Sequence, residues 1–177
     1  MFPFFRFFLA MIRQLGKPRL GPDETFTTYH WIMPWDIDVF GELNNGRTLT
    51  IFDLNRLPFG MRTGLVDVIR KKGWAMTMAG VSVRFRKRIK MFNRVRITCR
   101  VVGRDERFFY MNQTMWLGDE PAHNALYRGV VYSKKYGIVS TQEIGEALEQ
   151  PDWAPDMPKW VQNWIDAEAT RAWPPEN

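Results

Sequence analysis

Apolar residues change their spacing twice along this chain. Phe4, Phe5, Phe8, Met11, Ile12 and Leu15 recur at helical intervals and predict an amphipathic helix near the start. After a linker, Lys17-Pro18-Arg19-Leu20-Gly21-Pro22, a strand-like run extends from Phe26 to Met33. Beyond Asn45 the spacing at Leu49, Phe52 and Leu57 is helical again. Asn44 or Asn45 suits the N-cap of that helix, and Pro58, which removes a hydrogen bond and crowds the preceding turn, is expected to kink or break it. Leu65, Val66 and Ile69 predict a second short helix closed by Gly73, with Lys71 and Lys72 at its negative end.

After Gly73 the period becomes two. Val81, Val83 and Phe85 alternate with Ser82, Arg84 and Arg86, and Val95, Ile97, Cys99 and Val101 with Arg94, Arg96, Thr98 and Arg100; Phe109, Met111, Gln113 and Met115 follow at the same spacing, then Leu126, Arg128, Val130 and Tyr132. Turn signals at Met91-Phe92-Asn93, Gly103-Arg104-Asp105 and Gly118-Asp119-Glu120-Pro121 separate them into four strands joined as a meander. Ser140-x-x-Glu143 is a capping box that opens a short helix to about Glu149. Pro158 opens a last helical run with Trp160, Trp164 and Ala167 on one face. Strand, helix, then four antiparallel strands is an α+β order, with one helix wrapped by a curved sheet. One helix cannot cover both faces of such a sheet, so a homodimer is expected. The chain divides into an amphipathic segment and linker (1–24), one domain (25–150) and a Trp/Pro-rich tail (151–177).

Composition narrows the function classes. An apolar fraction of 45% with 15% aromatics is ample for a core. Cys99 is the one cysteine, which excludes an internal disulfide and reads as a small buried core residue. His30 and His123 stand far apart without ligand spacing, so a structural zinc site is not expected. The net charge of +6 is uneven: Arg84 to Arg107 holds ten Lys/Arg against two acids. That stripe suits a polyanion such as nucleic acid, an acidic membrane surface or the phosphates of coenzyme A, or else forms a solvated strand face. The N-terminal apolar run is too short to span a bilayer, which needs roughly 20 residues, and lacks the basic start and cleavage site of a signal peptide. Residues 2–15 therefore either lie on a membrane surface or pack on the protein or its partner subunit.

The chemistry gathers between Asp36 and Arg47. Two acids, Asp36 and Asp38, precede Gly41, Glu42, Asn44, Asn45 and Gly46, and a helix follows at once. A carboxylate beside the free N–H groups of a helix N-terminus suits acyl transfer. This stretch resembles D-x-D-x-x-G-H-V-N-N-A, the signature of hotdog-fold acyl-CoA thioesterases. With Arg47-Thr48-Leu49, Arg86-Lys87-Arg88-Ile89-Lys90-Met91-Phe92 and Gly103 to Tyr110, the resemblance covers residues 25 to 145. It points to the 4-hydroxybenzoyl-CoA thioesterase-like branch and, within it, to the thioesterase superfamily member 6 group.

That resemblance implies a hotdog fold: a five-stranded antiparallel sheet around a central helix, here with helical extensions at both ends. It implies hydrolysis of an acyl- or aroyl-CoA to free acid and CoA without a cofactor, in a homodimer or tetramer. Asp38 takes the place of the catalytic carboxylate and the Asn45 N–H that of the oxyanion donor; Asp36, two residues earlier, reads on its position alone as structural or orienting. Arg86, Lys87, Arg88 and Lys90 are the candidates for the CoA phosphates. Two departures stand out. The family's His is Glu42 here, a second carboxylate that can serve as a base, and its Ala-Arg-Tyr is Gly46-Arg47-Thr48. The alternatives are a module that binds acyl-CoA or lipid without hydrolysis and a nucleic-acid-binding protein. No RNA-binding fingerprint supports the latter, so nucleic acid is not an expected partner. The expected location is cytoplasmic, with peripheral contact at the inner membrane surface.

Overall fold

The computed structural model describes residues 3–21, 23–172, 174 and 175; residue 2 of the apolar run and Pro22 of the linker lie outside them. Helix α1 (Phe4–Ile12) leads to strand β1 (Phe26–Trp31), a 3-10 turn (Pro34–Asp36) and the long helix α2 (Asn45–Arg62). Helix α3 (Leu65–Lys72) follows, then β2 (Trp74–Phe85), β3 (Arg94–Arg104), β4 (Phe108–Leu117), β5 (Glu120–Ser133) and the two-residue β6 (Gly137–Ile138). Helices α4 (Thr141–Ala147) and α5 (Lys159–Ala169) close the chain. The strands pair antiparallel in the order β1-β3-β4-β5-β2, with β6 added beside β5.

The core sits between α2 and the inner face of the sheet. Ile51 and Phe52 of α2 pack on Val95, Ile97, Met111, Met115, Ala125 and Tyr127, with Phe52 edge-on to Tyr127 at 6.2 Å. Cys99 is buried with Phe26 and Phe59. Two polar side chains inside this core satisfy one another: Gln113 donates to Asn55 Oδ1 and the Phe52 carbonyl, and Asn55 donates to Thr28 and the Ile97 carbonyl. Buried amides paired in this way avoid the desolvation cost of an orphaned group.

Four expectations need correction. Pro58 does not end α2, which continues to Arg62. The proline sits near the end of the helix and is buried, so a single backbone bond is forgone while the apolar ring is retained in the core. Strand β2 begins at Trp74 rather than Val81, and a register shift between Met78 and Gly80 leaves Val81 and Phe85 exposed. On β5 the residues facing α2 are Ala125 and Tyr127; Leu126 lies on the other face with Val102, Tyr110 and Val161. That outer face is partly covered by α5 of the same chain, through Val161, Trp164 and Ile165, while Trp160 and Ala167 are exposed.

Helix α1 packs on α2 by the face opposite to its aromatic one. Ala10 and Gln14 are buried, Gln14 accepts from Arg62, and Arg6 reaches Asp36. Phe5 is 81% and Phe8 58% exposed, and Ile12 and Leu15 are exposed too. The apolar stripe thus faces away from its own domain.

Beneath α1, His30 bonds Thr28 Oγ1 at 3.0 Å. Burial, then the charges of Arg6 and Arg13, hold its imidazole down from 6.5 to about 4, against the opposing pull of Asp36. The unfolded chain takes up this proton near pH 6.5 and the folded chain only near pH 4, so stability is full above 6.5 and drains as pH falls through that window. The expected loss is up to about 3 kcal/mol. Urea unfolding at neutral and acid pH should show His30→Gln losing less than the wild type; an identical loss would remove His30 as the cause.

Candidate active site

The loop between β1 and α2 is built from the backbone inward. Ile37 and Leu43 form a lone antiparallel bridge, and the Asp38 N–H donates to the Glu42 carbonyl at 2.8 Å. Gly41 turns the chain at φ 75°, a conformation that favours glycine. Leu43 N–H donates to the Ile89 carbonyl and Asn44 N–H to the Asp36 carbonyl, so the loop is tied to the basic segment and to its own base.

The two acids take different places. Asp36 is fully buried. Its Oδ2 accepts from Arg6 Nη1 at 2.7 Å and the Met33 N–H at 3.0 Å. Its Oδ1 accepts from Arg47 Nε at 3.2 Å and Nη2 at 2.8 Å. Asp36 is therefore a tie between α1, the loop and α2. Asp38 is half-buried, and its Oδ1 accepts from the Phe40 N–H at 2.9 Å and the Glu42 N–H at 3.4 Å. These donors fix one carboxylate oxygen; among the described residues none donates to the other.

At the head of α2 the cap is Asn44. Its Oδ1 accepts from the N–H groups of Gly46 and Arg47, and its carbonyl accepts from Thr48. Among the described residues nothing accepts from the Asn45 N–H, which is left as the free donor at the positive end of the helix. Beside it lies a polar cleft of about 190 Å³ walled by Glu42, Asn45, Phe85, Arg86, Lys87, Arg88, Ile89 and His123. The sequence-derived candidates Glu42, Asn45, Arg86, Lys87 and Arg88 thus converge, whereas Asp38 and Lys90 stand outside this wall. Arg88 Nε lies 3.0 Å from Glu42 Oε2, and Lys87 pairs with Glu120.

Sequence reasoning missed His123, because a lone histidine in a strand carries no spacing signal. It is buried against Phe85, with Nδ1 3.2 Å from Thr48 Oγ1 and Nε2 3.1 Å from the Lys87 carbonyl. Burial lowers its pKa, outweighing the Lys87 carbonyl and Glu42, so the ring is neutral at pH 7. A carbonyl only accepts, hence Nε2 carries the hydrogen and Nδ1 accepts from the Thr48 hydroxyl. This bond ties β5 to the first turn of α2.

A second and larger cavity, of about 470 Å³, runs between α2, α3 and the sheet. Its wall is mostly apolar, with Asp53 and Arg56 of α2 set into it. Its wall combines residues of six elements, α2, α3, β2, β3, β4 and α4. Among the described residues no three of His, Cys, Asp and Glu gather as a metal-binding group would.

The thioesterase-like superfamily model matches residues 32–165. The chain is 28% identical over 164 residues to Protein THEM6 of Drosophila melanogaster, covering 90% of this chain and 82% of that one. It is 26% identical over 137 residues to Protein THEM6 of Xenopus laevis, covering 76% of this chain and 64% of the frog protein's length. Its fold is similar to the crystal structure of YbaW, a probable thioesterase from Escherichia coli, with a TM-score of 0.66 and 18% identity over 71% of this chain and 97% of that one.

Proposed function

Given that this chain belongs to the thioesterase-like superfamily and carries its hotdog fold, we propose that it hydrolyses an acyl-CoA or aroyl-CoA thioester. The observation that carries this reading is the cleft at the head of α2, where a free helix N–H, a carboxylate and a row of cations meet. In the proposed reaction the Asp38 carboxylate takes a proton from water as the water oxygen adds to the thioester carbonyl, or adds to that carbon itself. The carbonyl becomes an oxyanion held by the Asn45 N–H. Its collapse breaks the C–S bond and the CoA thiolate leaves. Where water attacked, the thiolate takes up the proton held by Asp38. Where Asp38 attacked, water then cleaves the acyl–Asp38 anhydride, releasing the acid, restoring the carboxylate and supplying that proton. Arg86, Lys87, Arg88 and Lys90 receive the CoA phosphates, and the acyl group enters the larger cavity. Thr48 and His123 act as positioning residues by fixing the first turn of α2.

Glu42 lines the cleft while Asp38 is not part of its wall, and this favours a second reading. In it, Glu42 is the base, or the chain binds acyl-CoA without turnover. Thiol release from short, long and aromatic acyl-CoAs, measured for wild type, Asp38→Asn and Glu42→Gln, separates these. Turnover on any substrate supports hydrolysis; binding without thiol release supports the module.

The long edge of β2, paired among the described residues only to β5, supports a homodimer, since such an edge offers unpaired backbone groups to a second copy. No helix among the described residues is long and apolar enough to cross a membrane. The exposed stripe of Phe5, Phe8 and Ile12, followed by the exposed cations Arg13, Lys17 and Arg19, supports peripheral contact with an anionic bilayer. In flotation with anionic liposomes the wild type should rise and Phe5→Ser/Phe8→Ser should not. Equal flotation of the two would dispose of the membrane contact.

A further inference from the structure

The basic stripe divides in two. Arg86, Lys87 and Arg88 line the cleft, whereas the thioester reading leaves Arg94, Arg96 and Arg100 of β3 without a role. These three, with Thr98, alternate with the buried Val95, Ile97 and Cys99, so they lie on the face of the sheet turned away from α2. Strand register sets three rings among them. Trp31 and Tyr29 of β1 stand opposite Arg94 and Arg96, and Trp116 of β4 stands opposite Arg96 on its other side. The Arg94 guanidinium lies 4.6 Å from the centre of the Tyr29 ring, and that of Arg96 lies 4.7 Å from the Trp116 ring. Trp116 is fixed further by its Nε1–H, which donates to Thr98 Oγ1 at 3.0 Å. Trp31 is 56% and Tyr29 52% exposed, and among the described residues no cation lies over the Trp31 ring. Nor does any carboxylate among the described residues pair with Arg94, Arg96 or Arg100. Helix α5 packs over another part of this face, at Tyr110 and Leu126.

Three guanidiniums without counterions on one side of a sheet attract an anion. The layered rings and guanidinium planes suit a flat group as well. An anionic bilayer supplies the charge alone, and its contact needs an apolar face, whereas Thr27, Thr98 and Asn112 stand beside these rings. A second copy of the face would set the arginines against their own images about a two-fold axis, with no carboxylate to meet them. A single-stranded nucleic acid supplies both phosphates and unpaired base faces, which a duplex keeps stacked inside. We propose that this face binds single-stranded nucleic acid, with bases stacking on Trp31 and on the Arg96–Trp116 layer and phosphates meeting Arg94 and Arg100. The missing RNA-binding fingerprint does not count against it: a fingerprint is a local motif, and these residues come from three strands. The proposal is independent of thioester hydrolysis and survives its failure, since the two sites share no residue.

The test titrates the full chain into fluorescein-labelled oligothymidylate and oligouridylate of about 16 nucleotides, read by anisotropy. Log association constant should fall with log salt at a slope of about −2, as for three phosphate contacts on a single strand. Arg94→Gln/Arg100→Gln should flatten that slope to about −0.7 and lower affinity about tenfold or more. Trp31→Ala should weaken oligonucleotide binding at least about fivefold, as for one stacked base, and leave affinity for inorganic polyphosphate unchanged. Arg96→Lys keeps the charge and loses the plane, so it should weaken binding at an unchanged slope. Each variant is measured separately, so one that fails to fold leaves the others to decide. Binding of either sugar supports the proposal, and the tighter of the two names the source. No binding of either, equal or tighter binding of a duplex, or displacement by coenzyme A overturns it. So does a loss confined to Arg86→Gln/Arg88→Gln, which would place the strand in the cleft. If Arg94→Gln/Arg100→Gln abolishes flotation with anionic vesicles or splits an oligomer while oligonucleotide affinity stays, the face belongs to a bilayer or to a second copy instead.

Discussion

Asp38→Asn is expected to lower thiol release by at least about 100-fold, since a positioned base or nucleophile contributes on the order of 10²–10⁴. The amide cannot take a proton from water at neutral pH, nor add to a carbonyl as a carboxylate does. It does retain an oxygen for the Phe40 and Glu42 N–H groups that now hold Asp38 Oδ1. The loop should therefore keep its shape, with stability within about 0.5 kcal/mol of wild type. The comparison with Glu42→Gln is decisive because the two carboxylates lie on the same loop, yet only Glu42 faces the cleft. Turnover that survives in Asp38→Asn and collapses in Glu42→Gln would move the base to Glu42.

Asp36→Ala carries the largest expected cost in stability, about 3–5 kcal/mol, the usual range for removing one partner of a buried ion pair. Two guanidiniums, Arg6 and Arg47, each less than a fifth exposed, would lose their counterion together, and the Met33 N–H its acceptor. The damage should also spread, because Asp36 joins α1, the loop carrying Asp38 and the first turn of α2. Arg6→Met leaves the Arg47 pair intact and should cost about 1.5–3 kcal/mol, the worth of a hydrogen bond to a charged group. Urea unfolding checks both, read as a shift in midpoint at unchanged slope. A midpoint loss equivalent to less than 1 kcal/mol for Asp36→Ala would mean that the double ion pair contributes little in solution.

Local signals were legible where local physics decides. Asn44 was one of two candidates for the cap of α2, and its side chain does accept two of the helix's free N–H groups. Ser140 accepts from the Glu143 N–H at the head of α4, and Gly73 closes α3. The alternation of Val95, Ile97 and Cys99 marked a strand with one face fully buried. It failed on β5, where α2 covers one face and α5 the other, because a period of two reports burial only when one side is wet. The same limit applies to α1: its apolar period identified the helix, but not which face meets the domain. There an ion pair of Arg6 and the burial of Gln14 prevail over the aromatic stripe.

The sequence by itself determined the order of elements, the caps, the Asp36-to-Arg47 motif and the family to which they belong, since each depends on residues close in the chain. Only the tertiary structure decided which candidates meet. It brought Glu42, Asn45 and Arg86 to Arg88 to one cleft with His123, left Asp38 out of that wall, and set Asp53 in a mostly apolar cavity. Those outcomes follow from contacts between residues tens of positions apart, fixed by strand register and by which side of a helix turns inward, and no local period encodes either.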